Sequence, residues 1–220
     1  MRQIISLSLL SICLLAGCSP AATPTTMPVI QVYASSAAQP WLVEMFDCAA
    51  RLNIVLVVDN PGDADVSLRI GEPANLTSPA FQIDSDKMLV VTHPQAGVDE
   101  LSLEQVRAIF SGQISNWSEA GGNDLPIEVW IFAHGEDTRQ VFDQTVLNGL
   151  HVIPNAKLAT STQQMSDSVG TTPGAIGILP RRWKMGNTHE TFTAATVPVL
   201  AITRSEPQDD LKKILTCLQK

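Results

Sequence analysis

Apolar positions along the chain follow two rhythms: short unbroken runs, and runs spaced three or four residues apart. Unbroken or nearly unbroken runs of strand length fall at 29–33, 54–58, 66–70, 88–92, 127–132, 175–179 and 197–202. Runs of this kind suit strands buried on both faces. Between them lie helical patterns. Trp41, Met45, Cys48/Ala49 and Leu52 share one face of a helix with Pro40 in its first turn. Ser102 with Gln105 forms a capping-box pattern ahead of Leu103, Val106, Ile109 and Phe110, and Gly112 closes that helix. A helix is expected over 137–147 with Val141, Phe142 and Val146 inward. Two more are expected behind Ser161/Gln164 and Ser205/Gln208. Strands alternate with helices throughout, so the expected class is α/β with mostly parallel sheets.

Composition narrows what such a fold can do. The 220 residues carry 14 basic and 22 acidic side chains, a formal charge of −8, with 45% hydrophobic and 16% charged residues. That apolar fraction excludes a wholly disordered chain. The acidic balance leaves no basic stripe for a nucleic-acid backbone, so no nucleic-acid partner is expected. Gly-x-Ser-x-Gly, His-Glu-x-x-His and P-loop patterns are absent from the sequence. His93, His134, His151 and His189 are well separated. No catalytic residue, metal site or cofactor is expected, and a monomer is.

The N-terminus has its own pattern. Arg2 precedes an apolar run over 4–15, then Ala16-Gly17-Cys18-Ser19. One positive charge, a short apolar core and small residues before a cut are marks of a secretory signal over 1–17. Leu15-Ala16-Gly17-Cys18 resembles the bacterial lipobox, which implies lipidation of Cys18 and anchoring of an exported chain to a membrane surface. An ordinary signal peptide with an incidental cysteine is the alternative. Residues 18–28, rich in Pro and Thr, read as an extended lipidated tether. Cys48 and Cys217 remain, both on expected helices. In an exported chain two such cysteines usually pair, though two separate buried thiols fit the sequence as well.

The stretch from Leu101 to Trp117, with its Ile109-Phe110-Ser111-Gly112-Gln113-Ile114 and Asn116-Trp117, resembles a signature of phosphate-type solute-binding proteins of ABC transporters. Gly121-Gly122, Leu125-Pro126-Ile127 and Pro173-Gly174-Ala175-Ile176-Gly177 continue the resemblance in order. It implies an α/β, two-lobed type 2 periplasmic-binding-protein fold with a ligand cleft between the lobes. Lobe one would comprise 29–91 plus 197–220, and lobe two 92–196. Both cysteine-bearing helices would then share lobe one, as a Cys48–Cys217 pairing requires. The implied partners are an ABC permease and an oxyanion-like small molecule.

Proteins of that family hold oxyanions with helix N-termini and hydroxyls. The matching places are Ala34-Ser35-Ser36, Gly135-Glu136-Asp137-Thr138-Arg139 and Thr160-Ser161-Thr162. The resemblance thus implies ligand contacts from Ser35, Ser36, Thr138, Arg139 and Ser161. Simple N-capping is the alternative at each place. At the second place Glu136 and Asp137 replace the family's usual serine and glycine. A carboxylate there competes for the N–H groups that would grip a ligand and repels a dianion at short range. Arg69 and Arg139 could supply a fork for another anion. A surface lipoprotein of the same fold, acting as a sensor or interaction module with a degenerate anion site, is the second functional reading.

Overall fold

The structure is a computed structural model that describes residues 27–219. The expected signal peptide, Cys18 and nearly all of the tether lie outside the described residues. Eight strands form one sheet in the order β2-β1-β3-β8-β4-β7-β5-β6. They are β1 Val29–Ala34, β2 Val55–Val58, β3 Val66–Ile70, β4 Ala80–Thr92, β5 Glu128–Phe132, β6 Lys157–Ala159, β7 Ala175–Pro180 and β8 His189–Thr203. The helices are α1 Gln39–Leu52, α2 Leu103–Phe110, α3 Asp137–Phe142, α4 Thr162–Thr171 and α5 Asp209–Leu218.

Pairing is parallel toward both edges, where β1 joins β2 and β3, and β5 joins β6 and β7. The three central pairings, β3 with β8, β8 with β4 and β4 with β7, are antiparallel. The expected mostly parallel sheet is thus a mixed one. The cause is the two long strands, β4 and β8, which run side by side through the whole molecule. Bulges interrupt their ladder between Gln82 and Asp84, Met88 and Leu89, and Val90 and Val91. A bulge bends and twists a strand locally.

Two hydrophobic cores form, one on each side of this crossing. The first gathers β1, β3, α1, α5, the start of β4 and the end of β8, with Trp41, Met45, Leu68, Met88, Val199 and Ile214 buried in it. The second gathers α2, α4, β5, β7 and the other halves of β4 and β8, around Leu89, Ile109, Phe110, Trp117, Phe142 and Ile178. Along β4 the change of core falls between Met88 and Leu89, so Val90 and Val91 pack in the second core. The apolar run over 88–92 is continuous, and nothing in it marks where the strand passes from one core to the next.

Local chemistry explains most boundaries. Ser102 and Gln105 make the full reciprocal capping box. Ser161 caps α4 through the Gln164 N–H, while the Gln164 side chain turns to Thr160 instead of closing a box. Ser205 does not cap α5. Gln208 stands at that N-cap, and Asp209 has a φ of +43°. The helix expected over 137–147 holds α geometry only to Phe142 and continues as a π-turn over 143–147. Cys48 on α1 and Cys217 on α5 form a disulfide, which staples two helices of the first core.

Candidate functional site

Strand β3 outruns its parallel neighbour β1, and this creates the site. The ladder ends at Ala34 opposite Leu68, with the Ser35 N–H on the Leu68 carbonyl. The next inward-facing amide of β3, that of Ile70, lies beyond the end of β1. It donates instead to Asp137 Oδ2 at 3.0 Å. Asp137 Oδ1 accepts from Arg69 Nε at 2.7 Å and from the same guanidinium's Nη2. Asp137 comes from the opposite half of the molecule and is 2% exposed. One carboxylate therefore takes both donor types that usually grip an oxyanion, a guanidinium fork and a backbone N–H.

Helix α3, which begins at Asp137, is shared between the halves. Val141 packs in the first core and Phe142 in the second, its ring centroid 4.6 Å from that of Phe110. Gly71, directly after Ile70, has a φ of +77°, and a Cβ there would come within 2.5 Å of Val141 Cγ2. Only glycine combines that backbone shape with so close an approach.

A second polar contact joins the same two halves. Ser36 Oγ accepts the Thr162 N–H at 3.1 Å and lies 3.2 Å from Thr162 Oγ1. The Thr162 amide is a free N–H at the start of α4, and a hydroxyl from the facing half satisfies it. Ser35 is buried, and its Oγ lacks a hydrogen-bond partner. A third set lies against β4. Arg182 pairs with Glu44 at 2.6 Å and Asp84 at 2.8 Å, covers the Trp41 ring at 4.5 Å, and donates its N–H to Asp86. Trp183 Nε1 donates to the Ala37 carbonyl.

The electrostatics follow from this crowding of charge. Burial, reinforced by the neighbouring Asp137 charge, raises the Glu136 carboxyl above its ordinary value, against the pull of Arg69. Burial would lower Arg69, but its hydrogen bond to Asp137 and that group's charge raise it instead. Burial and the two carboxylates push the Tyr33 phenol up. Tyr33 and Arg69 also face a cavity of about 230 Å³ with Ser67, Asn75, Thr77 and Ser78 on its walls. A larger cavity, about 600 Å³, lies within the second half beneath 149–154 and away from the junction.

The expected site residues divide accordingly. Ser36 meets the α4 N-terminus capped by Ser161, and Thr138 is buried directly after Asp137. Arg139 turns the other way, with Nε on Asp143 at 2.6 Å and Nη1 on the Phe132 carbonyl, and it lines the larger cavity. Asp137 does not compete for its own helix's amides, as its position suggested. It takes the donors of the facing half. Thr162 belongs to the third place named from the sequence, but its pairing with Ser36 was not foreseen, nor were Arg182 and Trp183, whose partners are distant in sequence. Trp117, fully buried with Nε1 on the Gly174 carbonyl, is packing.

Two α/β halves joined by a pair of crossing strands, with polar groups meeting between them, define a two-lobed binding-protein fold. The model of the PBP superfamily domain matches residues 82–215, and the chain belongs to that superfamily. Over 92 residues it is 33% identical to the phosphate-binding protein PstS of Bacillus subtilis, a stretch covering 42% of this chain and 30% of that protein. The match thus spans less than a third of that relative's length. Among solved structures, the chain is similar to a Clostridium perfringens protein described as a phosphate ABC transporter substrate-binding protein with bound phosphate. The TM-score is 0.77 at 18% identity, covering 86% of this chain and 92% of that one. An ABC-type phosphate transport receptor from Vibrio cholerae gives 0.67 at 20% identity, covering 88% and 93%. At such identities the likeness is one of fold.

Proposed function

We propose that this chain is the non-catalytic solute-binding component of an ABC uptake system, exported and anchored through a lipid on Cys18, with a small oxyanion as its ligand. The observation that carries this reading is the adjacent pair Arg69 and Ile70. Its guanidinium and backbone N–H converge on the two oxygens of one carboxylate between the lobes. Donors so placed suit phosphate and sulfate as they suit a carboxylate. Lobe one would comprise 29–88 plus 197–220 and lobe two 89–196, the expected boundary at 91 moved to where β4 changes core, with the hinge at the β4/β8 bulges. Ser35, Ser36, Thr138 and Ser161 would contribute hydroxyls, with Arg69, of the two arginines expected to form a fork, bearing the positive charge while Arg139 turns away to Asp143. Capture between lobes followed by hinge closure would deliver the ligand to a permease.

The local identity with PstS and the phosphate-bound fold relative support this reading. Asp137, seated where the ligand would go, favours a second one: a surface lipoprotein of the same fold serving as a sensor or interaction module. A thermal-shift panel of phosphate, sulfate, molybdate, sugars, amino acids and polyamines separates the two. A cleft ligand at 100 times its Kd stabilises by about 2.7 kcal/mol, so phosphate or another oxyanion is expected to raise the melting temperature. A flat response across the panel overturns the uptake reading in favour of the second.

A further inference from the structure

The Asp137 contact is more than an ion pair, because of what it spans. Its acceptor oxygens belong to lobe two, its donors to lobe one, and the carboxylate is almost wholly shielded from water. Neighbouring interlobe contacts differ in kind. Ser36 with Thr162 is neutral on both sides, and charge-assisted bonds are roughly twice as strong. The Arg182 set is charged, yet it clings to β4 beside the bulges, where rotation of one lobe on the other moves atoms least.

We infer that Asp137 is an internal ligand: its carboxylate occupies the anion position of the cleft and holds the two lobes closed when no solute is bound. The inference rests on the oxyanion reading for the identity of the competitor, but not for the closure itself. Arg69 also lines the 230 Å³ cavity on the lobe-one side, and its side chain keeps 28% exposure overall, so the guanidinium is open to an incoming oxyanion. The oxyanion binds by displacing Asp137 from Arg69 and the Ile70 N–H. Glu136, next in the chain, adds a second negative charge against a dianion. Affinity for the solute is therefore set by competition with a tethered carboxylate, and weakening that carboxylate tightens binding.

Hydrogen–deuterium exchange on the full chain tests this through the Thr162 amide. Ser36 protects that amide across the junction, and Asp137 does not touch it, so it reports lobe separation. Asp137→Asn removes the charge at constant shape, and Asp137→Gly removes the side chain. Without solute, both variants are expected to speed Thr162 exchange by about tenfold or more, leaving amides of the two cores unchanged. Inorganic phosphate is expected to restore protection and to bind the variants at least about tenfold tighter than the parent by calorimetry. Thr162 exchange equal to the parent's in both variants overturns the inference, whatever their phosphate affinity. Faster exchange that neither phosphate nor sulfate reverses upholds the internal ligand and removes the oxyanion-uptake reading.

Discussion

At the scale of single residues, Glu136 carries a cost that its neighbours impose. Its folded-state pKa is raised by burial and then by the Asp137 charge. The protonated form is thus favoured in the folded chain. As pH rises past the unfolded value of 4.5, the unfolded state ionises first, and folding loses stability until the folded group has ionised too. Glu136→Gln is expected to raise the urea midpoint at pH 7, with the gain fading as pH falls below 4.5. An equal gain at both pH values would rule out titration as its cause. Trp41 shows the opposite case. Its Nε1 donates to Asp84 at 2.9 Å, and its face carries Arg182. Burial alone would raise Asp84, but the bonds from Trp41 and Ser85 together with Arg182 hold it below the usual range. Trp41→Phe should cost about 2 kcal/mol in urea denaturation.

Among the elements, α3 is the piece whose position matters most, since it feeds Val141 to one core and Phe142 to the other. Gly71→Ala adds a methyl against Val141 at a positive φ, and about 1–3 kcal/mol of destabilisation is expected. Val141→Ala in the same chain should recover part of that loss, because the two sites share one contact. The α1–α5 staple closes a sequence separation of 169 residues. Replacing both cysteines with serine should lower unfolding free energy by about 2–5 kcal/mol, measured against the parent under oxidising conditions. The α2 cap, the Pro40 helix and the buried runs of β1, β3 and β7 were legible in the residues, because their signals are local. The long strands were legible only in part. In β4 only Phe81 and Ile83 alternate with polar residues before the polar run Asp84-Ser85-Asp86-Lys87, and β8 begins with His189-Glu190-Thr191, so pairing of the two strands with each other defines their length. The three-residue β6 is too short to show a period. Asp137 could be flagged as a misplaced acid, yet its partner 68 residues earlier depends on how the lobes meet, which no local pattern encodes.

For the whole molecule, the sheet is the common structure, with a core at each end and β4 and β8 carrying the chain between them. No helix among the described residues is long and apolar enough to cross a membrane; the proposed attachment is through Cys18. Cys18→Ser is expected to abolish acyl labelling and move the chain from the membrane fraction to the soluble fraction. Retention in the membrane fraction would contradict lipid anchoring. β1 and α5, the first and last described elements, both pack in the first core and lie in the part of the fold that the disulfide staples. Tension along the proposed tether would therefore enter the fold at one end of β1, which is flanked by β2 and β3, and would be borne by that lobe and its covalent clamp. The second lobe, entered through β4 and left through β8, would lie outside the load path. The proposed opening and closing of the lobes would then neither lengthen nor slacken the tether, and drag on an anchored molecule would not act on the Asp137 contact.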